Sequence, residues 1–435
     1  MPLRQKRRGE RNVGELGVTA GELVKLAESY GTPLFVTSEK RLLDNYSRLR
    51  DAFGKHYDDV VVRYAIKANS NPAIIKTLAN RGAWMDASSP AEVEFALAAG
   101  SDKKRIMFSP NYVPRAELEQ ALDMGLVINF DSIGQFSALA KVGRPQCVSF
   151  RLNHGFGKGE FPGTTLSGPD SKFGIPDSRI VEAYRLAKEE GVKRFGMHMM
   201  CGSNVLEPEY FAAITSRILD TAGRLKSELD IVPEFIDIGG GFGVPYRPGE
   251  VPLDIEKAAQ LVSREFMEKS ARYGLGKPQL VIEPGRYLVA DTTVLLGTVT
   301  EVKSYEKRFV GIDAGMNVLI RPALYGAYHQ VVAVTKPDAP LTIKADVVGE
   351  ICENTDAIAR GIMLPEVTAG EDVLAVMNAG AYGYSMSSSY NGRLRPAEVM
   401  VTTNGKPVLI RRRETFRDLM STVVLEDIGT RAKRE

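Results

Sequence analysis

Apolar runs of strand length recur through the first two thirds of the chain and alternate with segments that have helical periodicity. The runs lie near Val60–Ile66, Ala83–Asp86, Arg105–Ser109, Leu126–Asp131, Cys147–Leu152, Arg194–Met200, Glu234–Ile238 and Gln279–Glu283. Helix signals separate them: one helix begins near Pro90 and ends at Gly100, and another begins near Pro114 and ends at Gly125. Regular strand–helix alternation predicts parallel strands, and eight such units can close into a (β/α)8 barrel of the TIM type.

The pattern changes after about residue 290, where apolar and polar residues alternate over short segments such as Thr293–Val299 and Pro407–Ile410. Few long helical periods remain there. This predicts a second, mainly antiparallel β domain at the C-terminal end, so the predicted fold class is α/β plus β. We expect residues 1–32 to join the β domain, residues 33–290 to form the barrel and residues 291–435 to form the C-terminal β-rich domain.

The last two barrel strands end abruptly in residues suited to a close backbone turn around an anion. The seventh run continues as Gly239-Gly240-Gly241-Phe242-Gly243, and the eighth continues as Glu283-Pro284-Gly285-Arg286. In an eight-fold barrel, phosphate sits on the loops after strands seven and eight, where both turns fall. A dinucleotide-binding fold carries its glycine-rich turn after the first strand instead, which disfavours that alternative.

A lysine follows the first barrel strand in the segment Tyr64-Ala65-Ile66-Lys67-Ala68-Asn69. Taken alone, Lys67 would ordinarily be a surface side chain at a strand end. Its apolar neighbours could instead desolvate the amine, lower its pKa and make it available for a Schiff base. Together with a phosphate site across the barrel mouth, Lys67 predicts pyridoxal phosphate, since that cofactor needs both a lysine and an anion cradle.

Composition and charge narrow the class of protein. The net charge of +2 argues against nucleic acid as a main partner. No apolar stretch approaches the ~20 residues of a membrane span, and no apolar core follows the basic N-terminus, so we expect a cytoplasmic protein without a membrane partner. Cysteines and histidines are dispersed without paired ligand spacing, so no metal centre is expected. They are Cys147, Cys201, Cys352, His56, His154, His198 and His329.

Nine short motifs occur in one order and together resemble those of a known family. They are Tyr64–Asn69, Ser171–Ile175, Gly239–Gly243, Glu283–Arg286, Asp313–Asn317, Arg321–Tyr325, Cys352-Glu353, Gly380–Gly383 and Tyr390–Arg393. Over nearly its whole length the chain resembles the fold-type III pyridoxal-phosphate decarboxylases, an alanine racemase-like and ornithine decarboxylase-like group, and within it the diaminopimelate decarboxylases. The resemblance implies pyridoxal 5'-phosphate as cofactor. It also implies decarboxylation of meso-2,6-diaminopimelate to L-lysine and carbon dioxide, a step of lysine biosynthesis.

The same resemblance assigns residues to the cofactor. Lys67 would hold it through a Schiff base, and Glu283 would face the pyridine nitrogen, where an ionised carboxylate keeps the ring protonated. The residues implied around the phosphate are Ser203, Gly239, Gly240, Gly241, Arg286 and Tyr382, and Gly285 is implied to contact the cofactor. Backbone N–H groups in a glycine-rich turn can approach phosphate oxygens closely. Asp86 and Glu92 match positions near the cofactor, although Glu92 could equally be a first-turn acid favoured by the helix dipole.

A second set of residues is implied for the substrate. Cys352 matches the residue that reprotonates the α-carbon in this family, which the partner subunit of a head-to-tail homodimer contributes. A far end that carries both an ammonium and a carboxylate needs an acid and one or two arginines. The residues implied to contact it are Arg286, Arg321, Tyr325, Glu353, Tyr382 and Tyr390. Arg321 could alternatively be a structural ion-pair partner.

Three departures from the family pattern stand out. Met200 takes the place of a histidine that stacks on the cofactor ring; a thioether can pack against an aromatic face but cannot carry charge. His198 lies two residues before it and should point the same way if both are on one strand. The middle of Glu353-Asn354-Thr355-Asp356 is usually made of small residues, and Val318 stands where an acid is common.

These departures keep alternatives to the leading interpretation open. One is a paralogous decarboxylase that acts on another carboxylate-bearing amino acid or conjugate in a secondary-metabolite pathway, and Met200 motivates it. The other is a catalytically silent protein that only binds the cofactor. The presence of Lys67, Glu283 and Cys352 together disfavours that last possibility.

Overall fold

The computed structural model describes residues 16–424, which form two nine-stranded sheets, a two-stranded sheet and the helices that connect their strands. The strands are β1 (Leu34–Ser38), β2 (Val60–Ala65), β3 (Trp84–Ala87), β4 (Ile106–Phe108), β5 (Val127–Phe130), β6 (Cys147–Asn153), β7 (Lys158–Gly159), β8 (Ile175–Pro176), β9 (Arg194–Met199), β10 (Gly202–Ser203), β11 (Phe235–Asp237), β12 (Gln279–Ile282), β13 (Thr293–Ser304), β14 (Arg308–Ile312), β15 (Val331–Ala333), β16 (Ile343–Val348), β17 (Ala357–Leu364), β18 (Val373–Val376), β19 (Ala397–Val401) and β20 (Pro407–Arg411). The α-helices are α1 (Ala20–Tyr30), α2 (Glu39–Gly54), α3 (Pro72–Ala79), α4 (Pro90–Ala98), α5 (Arg115–Asp123), α6 (Ile133–Ala140), α7 (Ile180–Glu189), α8 (Pro208–Leu229), α9 (Ile255–Arg272), α10 (Arg286–Val289), α11 (Arg321–Tyr325) and α12 (Phe416–Met420). None of the helices within residues 16–424 has the length and apolar character that a membrane crossing requires.

Eight parallel strands close into a barrel, in the order β5-β4-β3-β2-β12-β11-β9-β6 with β6 pairing back to β5. At the seam between the first and last strands, Val281 of β12 lies opposite Val61 of β2. These strands match the eight apolar runs of the sequence to within one residue at each end. The predicted (β/α)8 barrel is therefore confirmed.

Local capping explains where the barrel helices begin and end. Helix α4 is capped by Ser89, whose hydroxyl accepts the N–H of Glu92, and the Glu92 carboxylate accepts the N–H of Ser88 at 2.7 Å. Glu92 therefore acts as a first-turn acid. Beyond α4 and α5, Gly100 and Gly125 adopt positive φ angles of 88° and 71°, which stop both helices where the sequence predicts.

The second sheet follows the order β17-β16-β14-β13-β1-β19-β20, and β18 pairs with both β13 and β15. Most of these pairs are antiparallel, as the alternating pattern predicts; β1 with β19 and β14 with β16 are parallel. The sheet buries its own apolar clusters, one around Leu295 and Val376 and another around Leu34 and Val399. It thus has a core separate from that of the barrel.

The first described strand belongs to this second sheet and not to the barrel. Strand β1 places Phe35 opposite Leu295 of β13 and Val36 opposite Val399 of β19. Helix α2, which follows it, packs on the barrel core instead. We therefore place the boundary between the two units near residue 38, whereas the sequence predicts it at residue 32. Nothing local in a buried five-residue strand indicates which sheet that strand joins. Residues 1–15 and 425–435 of the predicted domains lie outside the described part.

A buried carboxylate ties the two units together. Glu398 of β19 is 1% exposed and accepts hydrogen bonds from Asn71, just before α3, at 2.9 Å and from Arg411 of β20 at 2.5 Å. Burial raises the pKa of Glu398, while the Arg411 guanidinium and the Asn71 amide act in the opposite direction. The junction therefore depends on keeping this carboxylate paired.

Arg411→Met should destabilise the protein by about 3 kcal/mol at neutral pH, because the buried Glu398 carboxylate loses its charged partner. The variant raises the pKa of Glu398 further, so the folded chain binds that proton more tightly than the unfolded chain. The deficit in unfolding free energy should therefore grow as the pH rises from about 5 to about 8. Urea unfolding at several pH values measures this.

Adding Glu398→Gln to the Arg411→Met variant is the matched control. The amide removes the stranded charge, so the pH dependence of the deficit should disappear and much of the stability should return. A deficit that stays constant with pH in the single variant would contradict the proposed origin in the Glu398 charge.

Candidate active site

The carboxyl ends of the barrel strands open into a cavity of about 300 Å³ that extends to segments connecting the strands of the second sheet. Barrel enzymes carry their chemistry at this end. The predicted site residues that line the cavity are Lys67, Asp86, Met200, Ser203, Gly241, Glu283, Gly285, Arg286, Arg321, Tyr325 and Tyr382. Residues that are more than 300 positions apart in the chain thus share one space.

Lys67 lies in a single 3₁₀ turn, Ile66–Ala68, directly after β2. Its amine donates to Asp86 at 2.5 Å, and 41% of its side chain is exposed. Burial acts to lower the pKa of the Lys67 ammonium, but the carboxylates of Asp86 and Glu283 outweigh it and raise the pKa above its ordinary value. The predicted lowering by desolvation is therefore wrong, because two carboxylates face the amine.

Glu283 follows β12 and is held as a buried, ionised carboxylate. Its Oε2 lies 3.0 Å from Nε2 of His198, while Oε1 has no hydrogen-bond partner among the described residues. Burial acts to raise the pKa of Glu283, but His198 and the Lys67 ammonium outweigh it and lower the pKa to about 2. A charged oxygen is thus left free to accept a donor.

A second buried acid, Asp237 of β11, lies beside Glu283 and pairs with Arg63 of β2 at 2.8 Å. Burial and the charge of Glu283 raise the pKa of Asp237 well above its ordinary value, although Arg63 opposes this. Ligand atoms of His198, Asp237 and Glu283 all lie within 4.8 Å of one another. Since the Arg63 guanidinium supplies a positive charge to this cluster, we interpret it as an ion-pair network and not as a metal site.

The glycine-rich turn after β11 is packed too tightly for any side chain. Gly239 and Gly241 have positive φ angles of 72° and 93°, and a Cβ on Gly240 would lie 2.2 Å from the carbonyl oxygen of Glu283. The N–H of Gly240 donates to Sδ of Met200 at 3.1 Å. Met200 therefore lies against the turn, and it lines the cavity together with His198, as their spacing predicts.

Arg286 closes the end of the cavity next to this turn. It is 7% exposed and donates to the hydroxyl of Tyr246 at 2.7 Å and, more weakly, to that of Ser203 at 3.5 Å. Its guanidinium lies 5.1 Å from the ring centroid of Tyr382, whose N–H donates to the carbonyl of Ala68. A buried guanidinium beside a hydroxyl and a glycine turn suits an anion such as phosphate.

Another wall of the cavity is formed by α11 and the segment after β7. Arg321 is 1% exposed, and its Nη2 makes no hydrogen bond within the described residues; the nearest acid is Glu160, at 3.9 Å. Phe161 stacks on Tyr325 with ring centroids 5.5 Å apart and an interplanar angle of 10°. An arginine with a free N–H group therefore faces the cavity under an aromatic cover.

Five predicted residues do not line this cavity: Gly239 and Gly240, which belong to the same turn as the lining residue Gly241, and Cys352, Glu353 and Tyr390, which lie elsewhere. Cys352 and Glu353 are exposed after β16, and Tyr390 is 43% exposed. These three form a group of their own, since the Tyr390 hydroxyl donates to Glu353 at 2.5 Å and Asn391 accepts the N–H of Cys352 at 2.9 Å. Within one chain they are therefore separate from Lys67.

The cavity fits pyridoxal phosphate on three separate features. The Lys67 amine suits the aldehyde, and the unpartnered Glu283 Oε1 suits a protonated ring nitrogen. Arg286 and the glycine turn suit the phosphate. All three features line one cavity and carry the charges that the cofactor needs.

Sequence reasoning missed several residues of the cavity and its walls. Tyr246 and His329 contact the two arginines, Glu160 lies near Arg321, and Phe161 stacks on Tyr325. Arg151 also lines the cavity, near the carboxyl end of β6. Only Arg151 had a usable signal, a charged residue at the end of a barrel strand; the others lie in segments whose position depends on tertiary packing.

Comparisons with known proteins agree with this geometry. Residues 42–290 match the family described as pyridoxal-dependent decarboxylase, pyridoxal binding domain. A diaminopimelate decarboxylase from Methanothermobacter thermautotrophicus is 44% identical over 94% of this chain and 95% of its own length. Another, from Thermoplasma acidophilum, is 42% identical over 92% and 95%.

A solved structure shares the complete two-part architecture. Diaminopimelate decarboxylase from Helicobacter pylori, crystallised with L-lysine, is 30% identical, with a TM-score of 0.84 over 92% of this chain and 98% of that one. The motifs, the cavity and these relatives lead to one conclusion: the chain belongs to the diaminopimelate decarboxylase family of pyridoxal-dependent decarboxylases.

Proposed function

We propose that this enzyme decarboxylates meso-2,6-diaminopimelate to L-lysine and carbon dioxide, the step that yields lysine in its biosynthesis. The observation that carries the proposal is Arg321, a buried guanidinium with an unused N–H group in the same cavity as Lys67. A substrate with a second carboxylate would bind this N–H group, whereas an amino acid whose far end carries only an amine would not. The Helicobacter pylori relative crystallised with L-lysine supports a product of this shape.

When bound, pyridoxal phosphate supplies an aldehyde that binds amines covalently and a ring that accepts the electron pair released with carbon dioxide. We assign Lys67 to its aldehyde carbon and Glu283 to its ring nitrogen. Because the pKa of Glu283 is about 2, its carboxylate stays ionised and favours a proton on that nitrogen. Asp86 holds the Lys67 amine in place.

At the phosphate we assign the group of donors around the glycine turn. It comprises Ser203, Gly239, Gly240, Gly241, Gly285, Arg286 and Tyr382. Their close backbone approach and one buried guanidinium suit an anion that stays bound through many turnovers. Met200 would lie against the cofactor ring through its thioether, in place of a charged or hydrogen-bonding imidazole.

For the substrate we assign Arg321 and Tyr325 to the distal carboxylate, with Arg286 and Tyr382 between it and the cofactor. The distal ammonium needs an acid, and we assign Glu353, aided by Tyr390, to that role. Cys352 would return a proton to the α-carbon after carbon dioxide leaves. These last three residues would act from a second subunit, because they are exposed and do not line the cavity of their own chain.

The proposed assembly is therefore a homodimer in which each chain completes the site of the other. The exposed group of Cys352, Glu353 and Tyr390 supports it, since these residues do not line the cavity of their own chain and could reach a cavity of this kind only in a second chain. We also propose a cytoplasmic location, because three cysteines without disulfide partners suit a reducing compartment. The alternative of a paralogue with another carboxylate-bearing substrate is not favoured by relatives that share the name diaminopimelate decarboxylase.

Purified protein with pyridoxal phosphate should release carbon dioxide from meso-diaminopimelate and form L-lysine. Lysine, ornithine and arginine, offered as substrates, should release at least about 100-fold less, because they leave the Arg321 guanidinium or the distal acid unpaired. Gas evolution and chromatography of the product measure this. No release of carbon dioxide from diaminopimelate by protein that has bound the cofactor would contradict the proposal.

Two lysine variants, one in the cavity and one on the surface, test the assignment of Lys67. Lys67→Ala should lower the rate by at least about 1,000-fold and abolish the visible absorbance of covalently bound cofactor. Lys76→Ala, at an exposed position of α3, should change neither. Unchanged absorbance in Lys67→Ala would overturn the assignment of the lysine.

Glu283→Gln should lower kcat by about 100-fold or more while the cofactor remains bound, because a neutral amide cannot hold a proton on the ring nitrogen. Wild-type kcat should show no acidic limb that arises from Glu283 between about pH 5 and about pH 8, since its pKa is about 2. Steady-state kinetics across this range test both statements. Glu234→Gln, at the exposed amino end of β11, is the matched control; equal kcat in both variants would refute the assignment.

Mixing two inactive variants tests the shared site. Lys67→Ala and Cys352→Ala chains that exchange subunits at equal amounts should recover about one quarter of wild-type activity, because half of the dimers then hold one intact site. Native mass spectrometry verifies the exchange. Exchange without recovered activity would mean that each chain completes its own site.

A further inference from the structure

Arg321 is buried, yet only part of its guanidinium is used within the described residues. Its Nη1 lies 2.8 Å from Nε2 of His329, and its Nη2 has no hydrogen-bond partner. A buried guanidinium can normally rotate about its long stem to satisfy all its donors. Nη2 lies 3.9 Å from the Glu160 carboxylate, beyond hydrogen-bond distance, so the orientation of the guanidinium is set at its other end.

His329 is the residue that can set this orientation, and its own orientation is set from behind. It is 1% exposed, follows α11 by four residues, and its Nδ1 lies 2.8 Å from the carbonyl oxygen of Met377. A carbonyl can only accept, so Nδ1 carries the proton. Nε2 is then left as an acceptor for Arg321 Nη1.

The neutral form of His329 is favoured by its surroundings. Burial and the charge of Arg321 lower the pKa of His329 to about 3. A neutral imidazole accepts from the guanidinium without cancelling its charge, which an acid in the same place would do. His329 therefore holds Arg321 without compensating its positive charge, and the acid near the guanidinium is Glu160, 3.9 Å from Nη2.

Tyr246 restrains the guanidinium from a second side. Its ring centroid lies 4.7 Å from Cζ of Arg321, and its ring meets that of His329 edge-on at 5.4 Å. Its hydroxyl accepts from Arg286 at 2.7 Å. One aromatic side chain therefore lies between the two arginines of the cavity.

We propose that His329 is a positioning residue: it fixes the guanidinium of Arg321 so that Nη2 points at the distal carboxylate of the substrate, an inference that rests on the proposed function. Hydrogen bonds would then run in one line from the Met377 carbonyl through His329 and Arg321 to the substrate carboxylate. The selectivity for a second carboxylate is thereby set by a residue that does not itself contact substrate.

Two polar variants separate the two hydrogen bonds of His329. In His329→Gln, the longer amide side chain can accept from Arg321 but no longer matches the Nδ1 position. In His329→Asn, the shorter amide can donate to Met377 but does not reach Arg321. Because both variants stay polar and small, their melting temperatures and cofactor contents can be compared directly.

The readout is binding to the holoenzyme of two amines that differ only in one carboxylate. L-lysine carries the distal carboxylate and cadaverine lacks it, and each can be titrated by the change in cofactor absorbance. His329→Asn should weaken L-lysine about tenfold or more and leave cadaverine within about threefold of wild type. His329→Gln should stay within about threefold for both amines.

Kinetics with meso-diaminopimelate supply a second readout. His329→Asn should raise KM by about tenfold or more with kcat changed far less, because the bond to Arg321 acts on binding and not on the bond that breaks. Equal weakening of L-lysine and cadaverine, or Gln and Asn variants that behave alike, would overturn the proposal. A wild-type protein inactive on diaminopimelate would refute the proposed function instead, and the amine titrations would still report on His329.

Discussion

The buried carboxylate of Glu283 is the group on which the organisation of the cavity depends. The backbone N–H of Glu283 donates to the carbonyl of Gly239, and the backbone carbonyl of Glu283 lies so close to Gly240 that no side chain fits there. Its charge raises the pKa of Asp237 and helps to raise that of Lys67. Burial of an ionised acid is costly unless cations and donors surround it, and the surrounding His198, Arg63 and Lys67 supply them. The backbone of Glu283 thus packs the glycine turn, while its charge acts on Asp237 and Lys67.

The barrel could be predicted from sequence because each of its strands carries a local signal. An apolar run bounded by helix caps and glycines needs no knowledge of its neighbours, and residues just after such runs meet at one end of the barrel. That logic applies to Lys67 and Glu283. It does not apply to β1, a buried strand whose sheet is chosen by long-range pairing, or to Tyr246 and His329, whose roles arise only when separate segments pack together.

Met200, which stands where the family usually has a histidine, contacts the glycine turn beside it. The thioether accepts the N–H of Gly240, so it stabilises the same turn that is assigned to the phosphate. A sulfur acceptor is weak and polarizable, which leaves that N–H available to a stronger, charged acceptor. His198, two residues earlier, keeps an imidazole in the cavity, but it is bound to Glu283. Under the proposed assignment, Met200 would contact the ring without carrying charge, and Glu283 would keep a charge beside the ring nitrogen.

The carboxylate of Glu160 has a consequence for which molecules can reside in the cavity. It lies 3.9 Å from Arg321 on a short segment that also carries Phe161. A tethered acid of this kind competes like a free carboxylate at an effective concentration of the order of millimolar. Dilute monocarboxylates from the cell therefore gain little by binding to Arg321. A ligand that also binds elsewhere in the cavity brings its own carboxylate at a comparable effective concentration, and so can displace Glu160. This arrangement favours ligands that bind at two points of the cavity over ligands that bind only through a carboxylate.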